Sequence, residues 1–120
     1  MALVNKVDLK LKVDIDKCIM YQIMTYCFFE NIIISNSDLK FLKELSKQKN
    51  IELTKFCLEL VDKSIFKSPQ SARNAITKAS KKGLLEKTGT NKKTVSINQG
   101  MNIQQEGLVL LDYKILGIAE

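Results

Sequence analysis

Hydrophobic and polar residues alternate near the start of the chain and then take up a helical spacing. From Val7 to Ile15 every second residue is apolar and the residues between are charged, which predicts a strand with one solvent-exposed face. Asp16 to Phe29 is apolar on nearly every side, which predicts a helix in the core or in a subunit interface. Its longest mostly apolar stretch, Cys18 to Phe29, is shorter than the roughly 20 residues that span a bilayer, so we expect no membrane segment.

The middle of the chain carries signals for two more helices. Ser35 to Asp38 offers N-caps for a helix from about Asp38 to Gln48, with three leucines facing inward: Leu39, Leu42 and Leu45. A brief extended piece, Ile51 to Leu53, follows it. Thr54 is then expected to cap a helix whose apolar stripe is Phe56, Cys57, Leu60 and Val61.

A further helix has the clearest boundaries, with Ser68 as N-cap, Pro69 in the first helical position and Gly83 at the end. At about 100° per residue, Ala72, Ala75, Ile76 and Ala79 share one side. The opposite side carries Gln70, Arg73, Asn74, Thr77 and Lys81, with Lys78 at its edge.

Two short strands are predicted after this helix. Leu84–Lys87 and Thr94–Ile97 have strand composition, and 88–93 between them is a basic hairpin tip with Gly89 and Asn91 as turn residues. In the last twenty residues, Leu108–Leu111 and Lys114–Ile118 are short extended or helical pieces. A chain of 120 residues is expected to form one domain, 1–120.

Charge is concentrated in one third of the chain. The formal net charge is +6, but residues 63–98 hold nine lysine or arginine residues and the single acid Glu86, a local net charge of +8. A lysine-rich surface that is merely solvated would usually mix both signs. The pattern therefore favours a face that binds a polyanion.

The composition offers little for catalysis or for metal binding. There is no histidine, and the three cysteines (Cys18, Cys27 and Cys57) form no CxxC pair, so we expect no metal and no cofactor and interpret the cysteines as small core residues. No phosphate-binding glycine loop or nucleophile motif is present. We predict that the protein is not an enzyme. With no signal-peptide pattern at the N-terminus, we expect a cytoplasmic protein, or a virion component if the chain is phage-encoded.

Three helices followed by a basic hairpin resemble the winged helix-turn-helix family of DNA-binding domains. The resemblance covers Ser37 to Asn98 and is carried by Leu53-Thr54, by Ser68 and by the segment Lys82-Gly-Leu-Leu-Glu-Lys87. Asn98 and the leading helix also resemble replication initiators of phages and plasmids. Lys63–Lys67 departs from the family's tight glycine turn. The resemblance implies an α+β winged helix over 37–98, with an N-terminal strand and helix extension (1–36) and a C-terminal extension (99–120).

The resemblance also implies that helix 69–82 enters the major groove of double-stranded DNA and that the wing, 88–93, lies along the DNA. Glutamine and asparagine pair with adenine and arginine pairs with guanine. The expected base-reading residues are Gln70, Arg73, Asn74 and Thr77. The expected phosphate-binding residues are Ser68, Ser71, Lys78, Lys81, Lys82, Lys92 and Lys93.

Several functions stay open at this point. The DNA-binding reading covers a transcriptional regulator and a replication-initiation factor, and the apolar helix 16–29 suggests a homodimer. The alternative is a phage virion or assembly protein that uses a winged helix for protein contacts, because a fold does not determine a function. RNA binding is less favoured, since no exposed pair of stacking aromatic residues is evident.

Overall fold

A computed structural model describes the backbone of residues 3–5, 14–105 and 113–115, and the side chains of residues 14–105. Within these residues the fold is α+β, with four helices, a three-stranded antiparallel sheet and a separate pair of short strands. In chain order the elements are β1 (Leu3–Asn5), α1 (Ile15–Phe29), α2 (Asn36–Ser46), β2 (Ile51–Glu52), α3 (Leu53–Asp62), α4 (Pro69–Lys81), β3 (Leu85–Thr88), β4 (Thr94–Ile97) and β5 (Tyr113–Ile115).

Helix α1 confirms the predicted helix and corrects the end of the predicted strand. Asp14 is the N-cap, and its side chain accepts a hydrogen bond from the Lys17 backbone N–H at 2.8 Å. Ile15 is therefore the first helical residue and not the last residue of a strand, while residues 7–13 lie outside the described residues. The helix buries one stripe, Ile19, Ile23 and Cys27. Its other sides are largely exposed, so the helix is less buried than its composition predicts.

Helix α2 follows its sequence signals closely. Ser35 and Asp38 form a reciprocal capping box, in which each side chain accepts a hydrogen bond from the other residue's backbone N–H. The helix begins at Asn36 and ends at Ser46, about two residues earlier at each end than the pattern predicts. All three predicted inward leucines are buried.

Helix α3 begins differently from the prediction. Thr54 is not its cap: the helix starts at Leu53 after Glu52, whose side chain makes no capping hydrogen bond. The Leu53 backbone N–H instead donates to the Lys93 carbonyl at 2.7 Å. A contact from the hairpin tip thus satisfies one of the backbone donors that the first turn of a helix leaves without a partner inside the helix.

Helix α4 and the sheet match the predicted elements to within one residue. At the start of α4 the Ser68 hydroxyl accepts a hydrogen bond from the Ser71 backbone N–H. Just beyond the end of α4, Gly83 has a left-handed backbone conformation, with φ +79°. The sheet order is β2-β4-β3, with Leu85 opposite Ile97 and Ile51 opposite Val95. Strand β2 thereby ties the start of α3 to the hairpin.

One hydrophobic core joins α1–α4 to the sheet. The side chains that are fully buried in it include Phe41, Phe56, Ile76, Leu84 and Val95. Cys27 and Cys57 are core residues, as predicted, and burial raises the pKa of both thiols. Cys18 is only half-buried, so its predicted core position is wrong in part.

Strands β1 and β5 form a short antiparallel pair, in which Leu3 lies opposite Ile115. Residues 113–115 are thus extended, in agreement with one of the two forms expected for Lys114–Ile118. The other predicted piece, Leu108–Leu111, lies outside the described residues.

Candidate nucleic-acid interface

The polar side of α4 is exposed, because the opposite side packs small residues into the core. Ala72, Ile76 and Ala79 are the buried positions of this helix. At about 100° per residue, the positions furthest from them are Gln70, Asn74 and Lys81, and all three are exposed. These three residues form the ridge of α4.

Two of the predicted base-reading residues are already joined on this ridge. The Gln70 Nε2 amide donates to the Asn74 Oδ1 oxygen at 2.9 Å, one helical turn along. This contact leaves the Asn74 Nδ2 donors and one lone pair of its Oδ1 oxygen free, the pair of functions that recognises the adenine edge. Gln70 therefore orients the Asn74 side chain.

The other two predicted base-reading residues lie on the flank of α4 and contact neighbouring elements. An Arg73 guanidinium nitrogen donates to the Thr54 hydroxyl at 3.3 Å, and the Thr77 hydroxyl accepts from Lys87 Nζ at 3.2 Å. Both side chains are half-buried. The four predicted base-reading residues thus separate into an exposed pair on the ridge and a second pair that connects α4 to α3 and β3.

The wing tip is brought beside the start of α3. Gly89 (φ +83°), Asn91 (φ +57°) and Lys92 (φ +54°) have left-handed backbone conformations that turn the chain sharply between β3 and β4. Lys92 and Lys93 are exposed at the tip, and the Lys93 carbonyl accepts the hydrogen bond from Leu53. The flank of α4, the start of α3 and the wing tip are therefore linked, through the Arg73–Thr54 and Leu53–Lys93 hydrogen bonds.

The predicted phosphate-binding residues do not all belong to this surface in the same way. Lys78 and Lys81 are exposed on α4, and Ser68 and Ser71 lie at its N-terminus with their hydroxyl oxygens 2.9 Å apart. Lys82 instead donates from Nζ to the Ile33 carbonyl at 2.8 Å, which ties the end of α4 to the segment after α1. Lys82 is thus occupied in a contact within the protein.

Every ion pair within residues 14–105 lies elsewhere, in a cluster at the facing ends of α1, α2 and α3. Glu44 contacts Lys63 at 2.5 Å and Lys43 at 3.4 Å, and Asp16 pairs with Lys43 and Lys47. Burial alone would raise the pKa of Glu44, but the lysines outweigh it and hold the pKa below its ordinary value. The hydrogen bond from Lys47 is the main cause that lowers the pKa of Asp16.

This cluster changes the interpretation of the basic segment. Lys63 belongs to the +8 segment, yet its charge is balanced by Glu44, whose hydrogen bond raises the pKa of the Lys63 ammonium. In the part of the chain whose side chains are described, no cation of α4 or of the wing tip has a carboxylate partner. Helix α4 and the wing, 88–93, together hold five cations and no acid, so positive charge is concentrated there.

Two residues of this surface were not predicted from the sequence. Thr54 holds Arg73, and Lys87 reaches Thr77 from β3. Lys87 could have been included on charge alone, because it lies within the basic segment. Thr54 was predicted to be a helix cap, because a threonine before an apolar run usually has that role, so its contact with Arg73 was not expected.

Metal-binding groups and membrane-spanning helices were sought among the described residues. No group of three or more metal-binding side chains lies together there, and no helix there is long and apolar enough to cross a membrane. Comparisons with protein-family models, with curated proteins and with solved structures found no match to this chain.

Proposed function

We propose that this protein is a winged helix-turn-helix protein that binds double-stranded DNA, with α4 in the major groove and the wing tip along the backbone. The observation that carries this proposal is the unpaired positive charge of α4 and the wing, beside an exposed ridge of base-reading side chains. The element order is compatible with the fold: three helices and then a hairpin, with β2 completing the sheet.

The dimensions of α4 suit this role. Its thirteen residues form a rod of about 20 Å, and the major groove is about 12 Å wide and admits a helix. The ridge residues Gln70 and Asn74 lie in the first two turns, where recognition helices usually contact base edges. Asn74 would form hydrogen bonds with an adenine base, and Gln70 would hold the Asn74 side chain in position.

The charges suit backbone binding by the surrounding residues. Lys78, Lys81, Lys92 and Lys93 are exposed and without carboxylate partners within residues 14–105. With Lys63 and Lys82 engaged inside the protein, we expect about four to six phosphate contacts. Log K should then fall with log salt at a slope of roughly −4 to −5.

The experiment has two parts, selection of preferred sites from random duplexes and titration of selected and random duplexes at several salt concentrations. Asn74→Ala should cost about 1–3 kcal/mol on the selected site and little on random DNA, because it removes a base contact. The double change Lys92→Ala and Lys93→Ala should weaken both duplexes alike and reduce the salt slope by about two units.

Matched controls separate these effects from general losses. Asn50→Ala and Lys40→Ala remove an exposed amide and an exposed lysine far from the ridge in sequence, and both should leave binding unchanged. Absence of duplex binding at about 50 mM salt would refute the proposal. Residues 68–89 would then be assigned to a protein partner, as in a phage assembly protein. Site-selective binding to duplex DNA is the result expected both for a transcriptional regulator and for a replication initiator.

A further inference from the structure

Two cations from different elements lie on the flank of α4 that contacts α3 and β3. The Arg73 guanidinium of α4 donates a hydrogen bond to the Thr54 hydroxyl of α3 at 3.3 Å. The Lys87 ammonium of β3 donates to the Thr77 hydroxyl of α4 at 3.2 Å, and that hydroxyl donates to the Arg73 carbonyl at 3.0 Å. These four residues, Thr54, Arg73, Thr77 and Lys87, form the Arg73–Lys87 cluster.

The register of the sheet directs the Lys87 side chain toward the core side. Lys87 lies opposite Val95, and Val95 lies opposite Ile51. Directly paired residues of neighbouring strands have their side chains on the same face, and both Val95 and Ile51 are buried. The adjacent acid, Glu86, has its side chain on the other face, because successive residues of a strand alternate. Lys87 is therefore half-buried beside α4, and Glu86 does not neutralise it.

The positive charges of Arg73 and Lys87 act on the same buried atom. Cys57 of α3 is fully buried, and burial raises the pKa of its thiol, while the charges of Arg73 and Lys87 both act against that rise. Because the effect of a charge weakens with distance, both cations lie in the neighbourhood of this thiol. Both are also half-buried. The fold thus holds two like charges close together at a partly desolvated position.

The described part of the protein supplies no anion to this cluster. Within residues 14–105, neither Arg73 nor Lys87 has a carboxylate oxygen within 4.0 Å. Neighbouring like charges repel, and a partly buried charge is costly unless it is paired. One hydroxyl accepts from each cation, which leaves further N–H donors on both for a ligand. The cluster therefore has the charge and the donors that bind an anion.

We propose that the Arg73–Lys87 cluster binds one phosphate group of the DNA backbone. This inference rests on the proposed function and gives Arg73 a different role from the one expected from the sequence, since it holds a phosphate and does not read guanine. A guanidinium can bind two phosphate oxygens at once, and an ammonium adds a point charge.

A base edge suits the cluster less well than a phosphate does. The guanine edge is neutral, whereas each phosphate carries the negative charge that two adjacent cations require. Arg73 and Lys87 also lie on the flank of α4, while the exposed Gln70–Asn74 pair lies on its ridge. The cluster adds one backbone contact to those expected from the four exposed lysines of α4 and the wing.

The first test compares affinity for a selected duplex and a random duplex at several salt concentrations. Arg73→Ala and Lys87→Gln should each weaken both duplexes about tenfold at about 0.1 M salt and reduce the salt slope by about one unit, because one phosphate contact is lost. The glutamine amide can still donate to Thr77. The control is Lys40→Ala, an exposed lysine of α2 that makes no hydrogen bond with the cluster. It should leave both affinities unchanged.

The second test locates the phosphate. Neutral methylphosphonates replace the phosphates of the selected duplex one at a time, and the wild type and both variants are titrated with each duplex. One replacement should cost the wild type about tenfold but cost Arg73→Ala and Lys87→Gln less than about twofold, since these variants have already lost that contact.

Three results would overturn the proposal. In the first, Arg73→Ala weakens the selected duplex alone, which would make Arg73 a base-reading residue. In the second, neither variant weakens the duplexes; if about 10 mM inorganic phosphate then raises the melting temperature of the wild type more than that of Lys87→Gln, the cluster holds free phosphate instead. In the third, no methylphosphonate position is coupled to both cations.

Folding of the variants is checked by circular dichroism. If Arg73→Ala fails to fold, Lys87→Gln and the methylphosphonate series decide. A wild type that binds no duplex refutes the proposed function itself. A wild type that binds duplex, with variants that bind equally well, refutes only the phosphate site.

Discussion

Asn98 connects three parts of the chain, and its removal gives a quantitative test of the structure. The Asn98 Nδ2 amide donates to the Gly83 carbonyl at 2.6 Å and lies 3.4 Å from the Tyr26 hydroxyl. Its Oδ1 oxygen accepts from the Gly100 N–H at 2.9 Å. One side chain thus joins the end of α4, helix α1 and the turn after β4.

The cost of Asn98→Ala follows from these contacts. Two hydrogen bonds of normal length are lost, each with a net contribution of about 0.5–1.5 kcal/mol, and the longer contact to Tyr26 adds little. Gly83 and Gly100 are exposed, so water replaces part of the loss. We expect the free energy of unfolding to fall by about 1–2 kcal/mol, which lowers the urea midpoint by about 1 M.

Equilibrium unfolding in urea, followed by circular dichroism, measures this cost. Gln99→Ala is the matched control, because Gln99 is the neighbouring amide, is exposed and makes no side-chain hydrogen bond within residues 14–105. It should change stability by less than about 0.5 kcal/mol.

Asn98→Asp separates the two ends of the amide. It keeps the acceptor for Gly100 but places a carboxylate beside the Gly83 carbonyl, near the negative end of the α4 dipole. At pH 7 it should be at least as destabilised as Asn98→Ala, and its deficit should shrink near pH 4, where a protonated carboxyl can donate. The reasoning is refuted if Asn98→Ala and Gln99→Ala have the same stability.

Two further predictions concern the turn after α4 and the acid sensitivity of the fold. Gly83→Ala should destabilise by about 1–2 kcal/mol in thermal melts. A Cβ there has no heavy atom within 4 Å, so the cost is the left-handed backbone alone and Gly83→Asn should cost less; equal stability of all three would contradict this. Because the pKa values of Asp16 and Glu44 are lowered by folding, their stabilisation is full above the ordinary carboxyl range and is lost as pH falls through the lowered values. Glu44→Gln should therefore flatten the stability curve between about pH 5 and 3, and an unchanged slope there would contradict the assignment.

The sequence alone determined the elements whose signals are local. Ser68, Pro69 and Gly83 mark the ends of α4 within a few residues of chain, and the spacing of Ala72, Ile76 and Ala79 predicts its buried side. The capping box of α2 and the two strands of the hairpin are equally local. These features depend on backbone conformation and side-chain periodicity, which neighbouring residues specify.

The tertiary structure decided which polar side chains are available to a ligand. Arg73 and Thr54 are 19 residues apart, and Lys82 and the Ile33 carbonyl are 49 apart. The helical periodicity predicts Arg73 on the polar side with Gln70 and Asn74, and it cannot show that Thr54 holds the Arg73 side chain. Nor does charge counting show that Glu44 balances Lys63.

The exposure of α1 was likewise a property of the whole fold. Its composition predicts burial on nearly every side, but among residues 14–105 the stripe Ile19, Ile23 and Cys27 is buried, with α2 and the segment around Met101 in contact with the helix, while Tyr21, Met24 and Phe28 are exposed. Hydrophobicity identifies which residues favour burial, whereas the number of elements that pack on a helix decides how many of its sides are buried. That number depends on contacts between residues far apart in the chain, which a local pattern does not specify.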